Sequence, residues 1–155
     1  MLRTNQVFWH NKTPSKSEFV QMQKIFSEYD IPAFYSGINP EDLVFVAKVV
    51  KEHGSDSILG GIVFRIKNFC AEIVAIGVRK TDQRKRIGTS LVKDMEKVLI
   101  EHSVRRIEAI VPNDSRRGFY KFLGYREYST DRMDRWIPRS QVVFLKIKKA
   151  LSLIL

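Results

Sequence analysis

Glu72 is the one acid in the run "AEIVAIGV", and the following stretch "RKTDQRKRIGTSL" carries a cluster of bases that closes at Gly88. A carboxylate flanked by Ala71, Ile73 and Val74 is drawn out of water, which raises its pKa toward the range in which a general base works. Strand alternation puts Glu72 and Val74 on one face and Ile73 and Ala75 on the other, so a glutamate standing in water at a sheet edge fits the same letters. The basic turn points to a second kind of chemistry. A helix opening at Gly88 presents backbone N–H groups at the positive end of its dipole, where phosphate binds, and Gly88 lets the main chain approach a ligand closely. Arg84, Lys85 and Arg86 add charge where a diphosphate would lie; a solvated basic turn is the alternative. Cys70 has no histidine tied to it and reads as a packed thiol rather than a nucleophile.

These groups need a scaffold, and the periodicities supply one. Gln6 to His10 reads as a short strand, and "TPSKSEFVQMQKIFSEYD" as a helix with serine caps and Phe19, Met22, Ile25, Phe26 and Tyr29 at helical spacing. Asp30 to Pro40 is a loop. "DLVFVAKVVK" and "ILGGIVFRIK" form an antiparallel hairpin, with "CAEIVAIGV" as a third strand beside them. Ile87 to Glu101 repeats apolar residues at Leu91, Val92, Met95, Val98 and Leu99, a helix with one buried stripe. "RIEAIV" is a strand, Ser115 to Leu123 a short helix closed by Gly124, and "YREYS" and "QVVFLKIKK" are two final strands. The order predicts one α+β domain over residues 1–155, with a mixed sheet flanked by helices.

Composition narrows the functions. The chain of 155 residues is 44% apolar and 28% charged, which suits one globular core. Three scattered histidines (His10, His53, His102) and the lone Cys70 offer neither a zinc spacing nor an intramolecular disulfide, so no metal is expected. No segment reaches the ~18 apolar residues of a membrane span, and "MLRTNQVFWH" lacks the apolar core of a signal peptide. An intracellular location, nuclear or cytoplasmic, and no membrane partner are expected. The formal net charge of +10 favours anionic partners such as nucleotide phosphate or nucleic acid.

Two motifs carry a resemblance. The run Gln83, Arg84, Lys85, Arg86, Ile87, Gly88, Thr89 resembles the Q/R-x-x-G-x-G/A signature of the GNAT superfamily of acetyl-CoA-dependent N-acetyltransferases, with Arg86 standing where the family usually has its first glycine. "NDSRRGFYKFLGY", Asn113 to Tyr125, resembles the family's N-x-x-A-x-x-F-Y-x-K-x-G-F helix, with Arg116 in place of the small residue. From Gly60 to Tyr125 the pattern "GGIVFR", "AEIV" and Q-x-K-x-x-G-T looks like the transcriptional-coactivator histone acetyltransferases within that superfamily.

The resemblance implies a GNAT-like, mostly antiparallel central sheet, acetyl-CoA as cosubstrate and acetyl transfer to an amine, a protein lysine of the histone type first. It assigns Glu72 as general base and Tyr120 as the acid that protonates the departing thiolate. It places the pyrophosphate on the Gln83 to Thr89 loop and the pantetheine arm along the main chain of Ile76, Gly77 and Val78, with Asn113, Arg116 and Phe119 beside the coenzyme. Direct attack in a ternary complex follows, with N–H groups near Ile76 to Val78 polarising the carbonyl. Core packing is the plainer role for Phe119. A small amine remains open as acceptor. So do two other classes: an inactive module that binds acetyl-CoA or a protein, and a basic domain associated with chromatin or nucleic acid through Arg105, Arg106, Arg116, Arg117, Lys146, Lys148 and Lys149. A basic acceptor would need acids such as Glu28, Asp30, Glu41 or Asp42 at its groove.

Overall fold

Ser15 accepts a hydrogen bond from the Glu18 N–H at 3.2 Å and so caps the first helix, as the serine-rich segment predicts. In the computed structural model, which describes residues 4–9, 15–28, 43–50, 56–111 and 114–154, this helix α1 spans Lys16–Ser27 and follows strand β1, Thr4–Trp9. Strands β2 (Leu43–Val50), β3 (Asp56–Lys67) and β4 (Cys70–Val78) form a meander. A turn of 3-10 helix at Lys80–Asp82 leads into helix α2, Ile87–Glu101. Then come β5 (Arg106–Ile110), α3 (Asp114–Phe122), β6 (Arg126–Ser129), β7 (Arg132–Trp136) and α4 (Arg139–Ile154).

The strands make one seven-stranded sheet in the order β1-β2-β3-β4-β5-β7-β6. Every neighbouring pair is antiparallel except β4 with β5. This mixed, mostly antiparallel sheet with helices on both faces is the expected α+β architecture. Tyr29, the loop from Asp30 to Pro40, and Asn113 lie outside the described residues.

Alternation along β3, together with a register shift that leaves Val74 of β4 without a Cα partner between Ile73 and Ala75, divides the core into two, so Ile73 and Ala75 fall in different halves and not on the one face that plain alternation predicts. On one face Phe64, Ala71, Ile73, Ile107 and Ala109 meet Leu91, Val92, Met95 and Leu99 of α2, all buried. On the other, Met22, Ile25 and Phe26 of α1 cover Ile58, Val63 and Ala75. Truncating any of the buried α2 leucines would cost about 2–5 kcal/mol. Gly77 lies under α1: a Cβ there would come within 2.8 Å of Phe26 Cδ1 and 3.2 Å of Ile25 Cγ2. Its missing side chain serves the packing of α1 rather than the openness of a strand edge.

The C-terminal segment departs from expectation. "QVVFLKIKK" is part of helix α4, not a strand, and the last strand is β7, inside "TDRMDRWIPRSQ". Pro138 provides the physical reason: its carbonyl accepts from the N–H groups of Gln141 and Val142 at 3.1 and 3.2 Å and starts a helical turn. Val142 and Leu145, three apart, then pack on the core, a helical spacing hidden in a run that also alternates. Gly124 behaves as predicted, closing α3 at φ +88° while the Tyr125 N–H reaches back to the Tyr120 carbonyl at 3.0 Å.

Candidate active site

β4 and β5 pair only from Cys70 opposite Arg106 to Ile73 opposite Ala109. β5 ends at Ile110, whereas β4 runs on through Val74–Val78, held on its other flank by β3. The sheet is therefore split beyond Ile73, and the open flank of Val74–Val78 has no strand partner among the described residues. A bulge in the β3–β4 register between Val63 and Phe64 adds twist where the split begins.

Glu72 stands one rung below the split, in register with Glu108 of β5 and Arg65 of β3. It is half-buried. The register puts Cys70, Arg106, Glu108 and Asp134 on its face of the sheet. Arg106 ties that face together, with Nη2 2.9 Å from Glu108 Oε1 and Nε 3.2 Å from Asp134 Oδ2. Its guanidinium also lies 5.6 Å from the Tyr128 ring and 6.0 Å from that of Trp136. Burial, reinforced by Glu108, pushes the Cys70 thiol up, which keeps it protonated and inert as the sequence predicts.

At the far end of the open stretch the chain turns into α2. Asp82, which sequence reasoning passed over, organises this turn: its carboxylate accepts from Arg79 Nε at 2.8 Å, Thr81 Oγ1 at 3.0 Å and Lys85 Nζ at 3.2 Å. Burial opposes its charge, but the hydrogen bonds from Lys85, Arg79 and Thr81 prevail and hold the carboxyl below its ordinary value. The i, i+3 spacing of Arg79, Asp82 and Lys85 was the available signal. Lys85 thereby pairs with Asp82 while its side chain stays exposed.

Arg84 and Arg86 are left-handed, at φ 63° and 62°. Arg86 is the residue before the first helical turn of α2, so the helix opens at Ile87, one position before Gly88, with no side-chain cap on its first N–H groups. A left-handed residue followed by right-handed ones can aim successive N–H groups into one concavity, a cradle of the kind that suits an anion. Arg86 thus holds the backbone shape that a glycine adopts there without cost. Gln83, Arg84 and Arg86 are exposed, Ile87 is buried, and Gly88 and Thr89 are half-buried. Against Gly88 lies Phe119 of α3, whose ring atoms would be 3.4 Å from a Cβ there. Phe119 therefore buttresses the helix opening.

Tyr120 follows on the same helix and is only 3% exposed, edge-on to Phe119 and to Tyr125 at ring separations of 5.3 and 5.2 Å. Burial pushes its hydroxyl well above the usual range for tyrosine, with the nearby Arg116 charge acting the other way. It stays a proton carrier at every physiological pH. A separate cleft of about 260 Å³ lies between α1 and the start of the α2 turn, lined by Gln21, Lys24, Glu28, Ile58, Arg79 and Lys80 among others. Glu28 is thus the one acid of the expected set that falls in a described concavity; Asp30, Glu41 and Asp42 are outside the described residues. Among the described residues there is no cluster of His, Cys, Asp and Glu able to hold a metal.

The split sheet with an anion cradle at its far end defines a class. The chain belongs to the GNAT family of acetyltransferases, whose model matches residues 7–125. No curated protein matches the sequence. Among solved structures it is similar to the IAA acetyltransferase from Bacillus cereus, with 18% identity and a TM-score of 0.63 over 87% of this chain and 100% of that one. It is also similar to the ribosomal-protein-S18-alanine N-acetyltransferase from Escherichia coli, with 15% identity and a TM-score of 0.66 over 88% of this chain and 94% of that one. Tetrahymena GCN5 matches with 14% identity and a TM-score of 0.65 over 88% of this chain and 97% of that one. At such identities the likeness is one of fold.

Proposed function

We propose that the protein transfers acetyl from acetyl-CoA to an amine, a lysine side chain of a protein, in a ternary complex. The observation that carries this reading is the split between β4 and β5, which has Glu72 at its apex and the α2 cradle at its mouth. Acetyl-CoA is typical of the family, and the residues fit it. An extended arm can add to the open flank of Val74–Val78 as a strand would, and the N–H groups around Arg86, Ile87 and Gly88 suit a diphosphate. When bound, it supplies the activated acyl group.

The chain's own residues do the rest. Glu72 removes a proton from the acceptor ammonium, directly or through water, which frees the lone pair for attack. Main-chain N–H groups of the stretch Ile76 to Val78 polarise the carbonyl under attack. Tyr120, neutral and enclosed, gives a proton to the departing thiolate. The "AEIV" and Q-x-K-x-x-G-T motifs support a lysine acceptor.

Labelled acetyl-CoA with a panel of histones, basic peptides and small amines tests the reading. Glu72→Gln should lower kcat by about 10² to 10⁴ with coenzyme affinity unchanged, because it keeps the shape of the side chain and removes its basicity. Unaltered kcat in that variant would make Glu72 a structural strand residue. Transfer confined to small amines would exclude the protein acceptor.

A further inference from the structure

Helix α4 has two apolar sides. At 100° per residue, Val142 and Leu145 lie on one side and pack on the core. Ala150, Val143, Ile154, Ile147, Leu151 and Phe144 form a second arc, about 120° wide, on the opposite side. That arc faces solvent: Phe144 is 64% exposed, Ile147 55% and Ile154 79%. Lys146 brackets it on one flank and Lys148 on the other. The helix carries Arg139, Lys146, Lys148 and Lys149 and no acid. None of its described residues is buried, so it stands as a ridge on the surface. It lies outside the 7–125 segment that matches the family.

The candidate occupants differ in what they require. A second copy would bring one acid-free, basic helix against another, on a protein whose net charge is +10. A ridge of 16 residues, about 24 Å long and about 10 Å wide, also offers far less than the ~800 Å² per partner of a stable dimer. An anionic bilayer requires neither a matching groove nor a minimum area. It needs an apolar arc that can sink between headgroups and lysines at its borders whose stems reach back to phosphate, and both are present.

We infer that α4 docks the protein onto an anionic membrane surface, with the arc centred on Ile147 and Leu151 sunk in the headgroup layer and Lys146 and Lys148 on lipid phosphates. This is adsorption and not spanning, since no described helix is long and apolar enough to cross a bilayer. It revises the expectation of no membrane partner, which considered spans alone. α4 is tied to the far end of α2 from the cradle, through Lys149 Nζ 3.4 Å from Glu101 Oε1. With ~1.5 Å of rise per residue from Ile87 to Glu101, docking leaves the α2 opening some 20 Å away. The inference does not depend on the proposed acetyl transfer.

Co-sedimentation of the full-length chain with phosphatidylcholine vesicles, with and without phosphatidylserine, tests it. Binding is expected only with phosphatidylserine and should weaken as salt rises. Lys146→Gln with Lys148→Gln should reduce it about fivefold per lysine. Phe144→Ser with Leu151→Ser should reduce it tenfold or more at unchanged circular dichroism, since both positions are exposed. Absence of binding to phosphatidylserine vesicles overturns the inference. So does equal binding by the serine variant, which would leave only diffuse charge. Lipid-free dimerisation abolished by Phe144→Ser, or preference for an acidic helical peptide over vesicles, would assign the arc to a protein partner and overturn it equally.

Discussion

Replacing Arg86 with glycine separates two properties that the α2 opening combines. At φ 62° and ψ 18°, Arg86 is in the left-handed region, which costs an ordinary residue about 1–2 kcal/mol. Glycine removes that strain but loses about 0.5–1 kcal/mol through its freer unfolded state. The net expectation is a gain of about 0.5 kcal/mol, or roughly 1–2 °C in Tm for a chain of this length. Coenzyme affinity should move the other way. A guanidinium about 6 Å from a diphosphate of two charges contributes about 1.4 kcal/mol in unscreened water. Screening at about 0.1 M salt roughly halves this, so CoA should bind about three- to fourfold more weakly and the deficit should vanish near 1 M salt. Thermal melts and calorimetric titration at two salt concentrations give both numbers. Arg86→Ala is the control, because it removes the charge and keeps the strain: it should lose affinity equally and gain no stability. Tighter CoA binding by the glycine variant would refute this reasoning, since it would mean that the arginine obstructs the cradle.

Other expectations rest on single contacts. Phe69 occupies the two-residue turn between β3 and β4 with Asn68 at φ 46° and itself at φ 65°, and is 85% exposed, so Phe69→Gly should raise stability by about 0.5–1 kcal/mol in a melt. Gly77→Ala drives a methyl into Phe26 and should cost about 1–3 kcal/mol, measured by urea unfolding. Glu96 is buried with its Oε1 2.6 Å from Arg135 Nη1, and burial, opposed by Arg135, raises its pKa. The folded state then holds more protons than the unfolded one between the ordinary carboxylate value and the raised one, so this group adds stability as pH falls through that window. Glu96→Gln lacks the increment: its stability relative to wild type should decline from neutral pH toward pH ~4.5, and a pH-independent difference would exclude the shift.

Legibility followed how local the cause was. α2 was readable because Leu91, Val92, Met95 and Leu99 make one stripe and the opposite side is polar. α4 was not, because a helix that is apolar on two opposite sides lacks a single-sided period and its Leu-Lys-Ile-Lys run mimics alternation. Motif spacing supplied the expected positions of the site and, at Arg86, a place where the family usually has glycine, whereas the left-handed state of Arg84 had no signal, since arginine is not a residue type that announces positive φ. The split between β4 and β5 was equally silent: strand pairing joins segments over thirty residues apart, and no local pattern records where two strands cease to touch.

The strand order has a consequence for how the chain can be made. β7 inserts between β5 and β6, so the flank of β5 away from β4 stays an open template until Trp136 is in place. During synthesis the segment up to Tyr125 would leave the ribosome with Arg106–Ile110 unpaired on that side, and an unpaired edge invites pairing with another nascent chain. Closing the β6–β7 hairpin seals it. The stretch that carries the family motifs, residues 7–125, is therefore not a unit that can be excised: a product ending at Tyr125 should aggregate, whereas one that runs on through Ile137, which is buried and bonded to the Arg105 carbonyl at 2.8 Å, and keeps Val142 and Leu145 of α4 on the core should remain monodisperse.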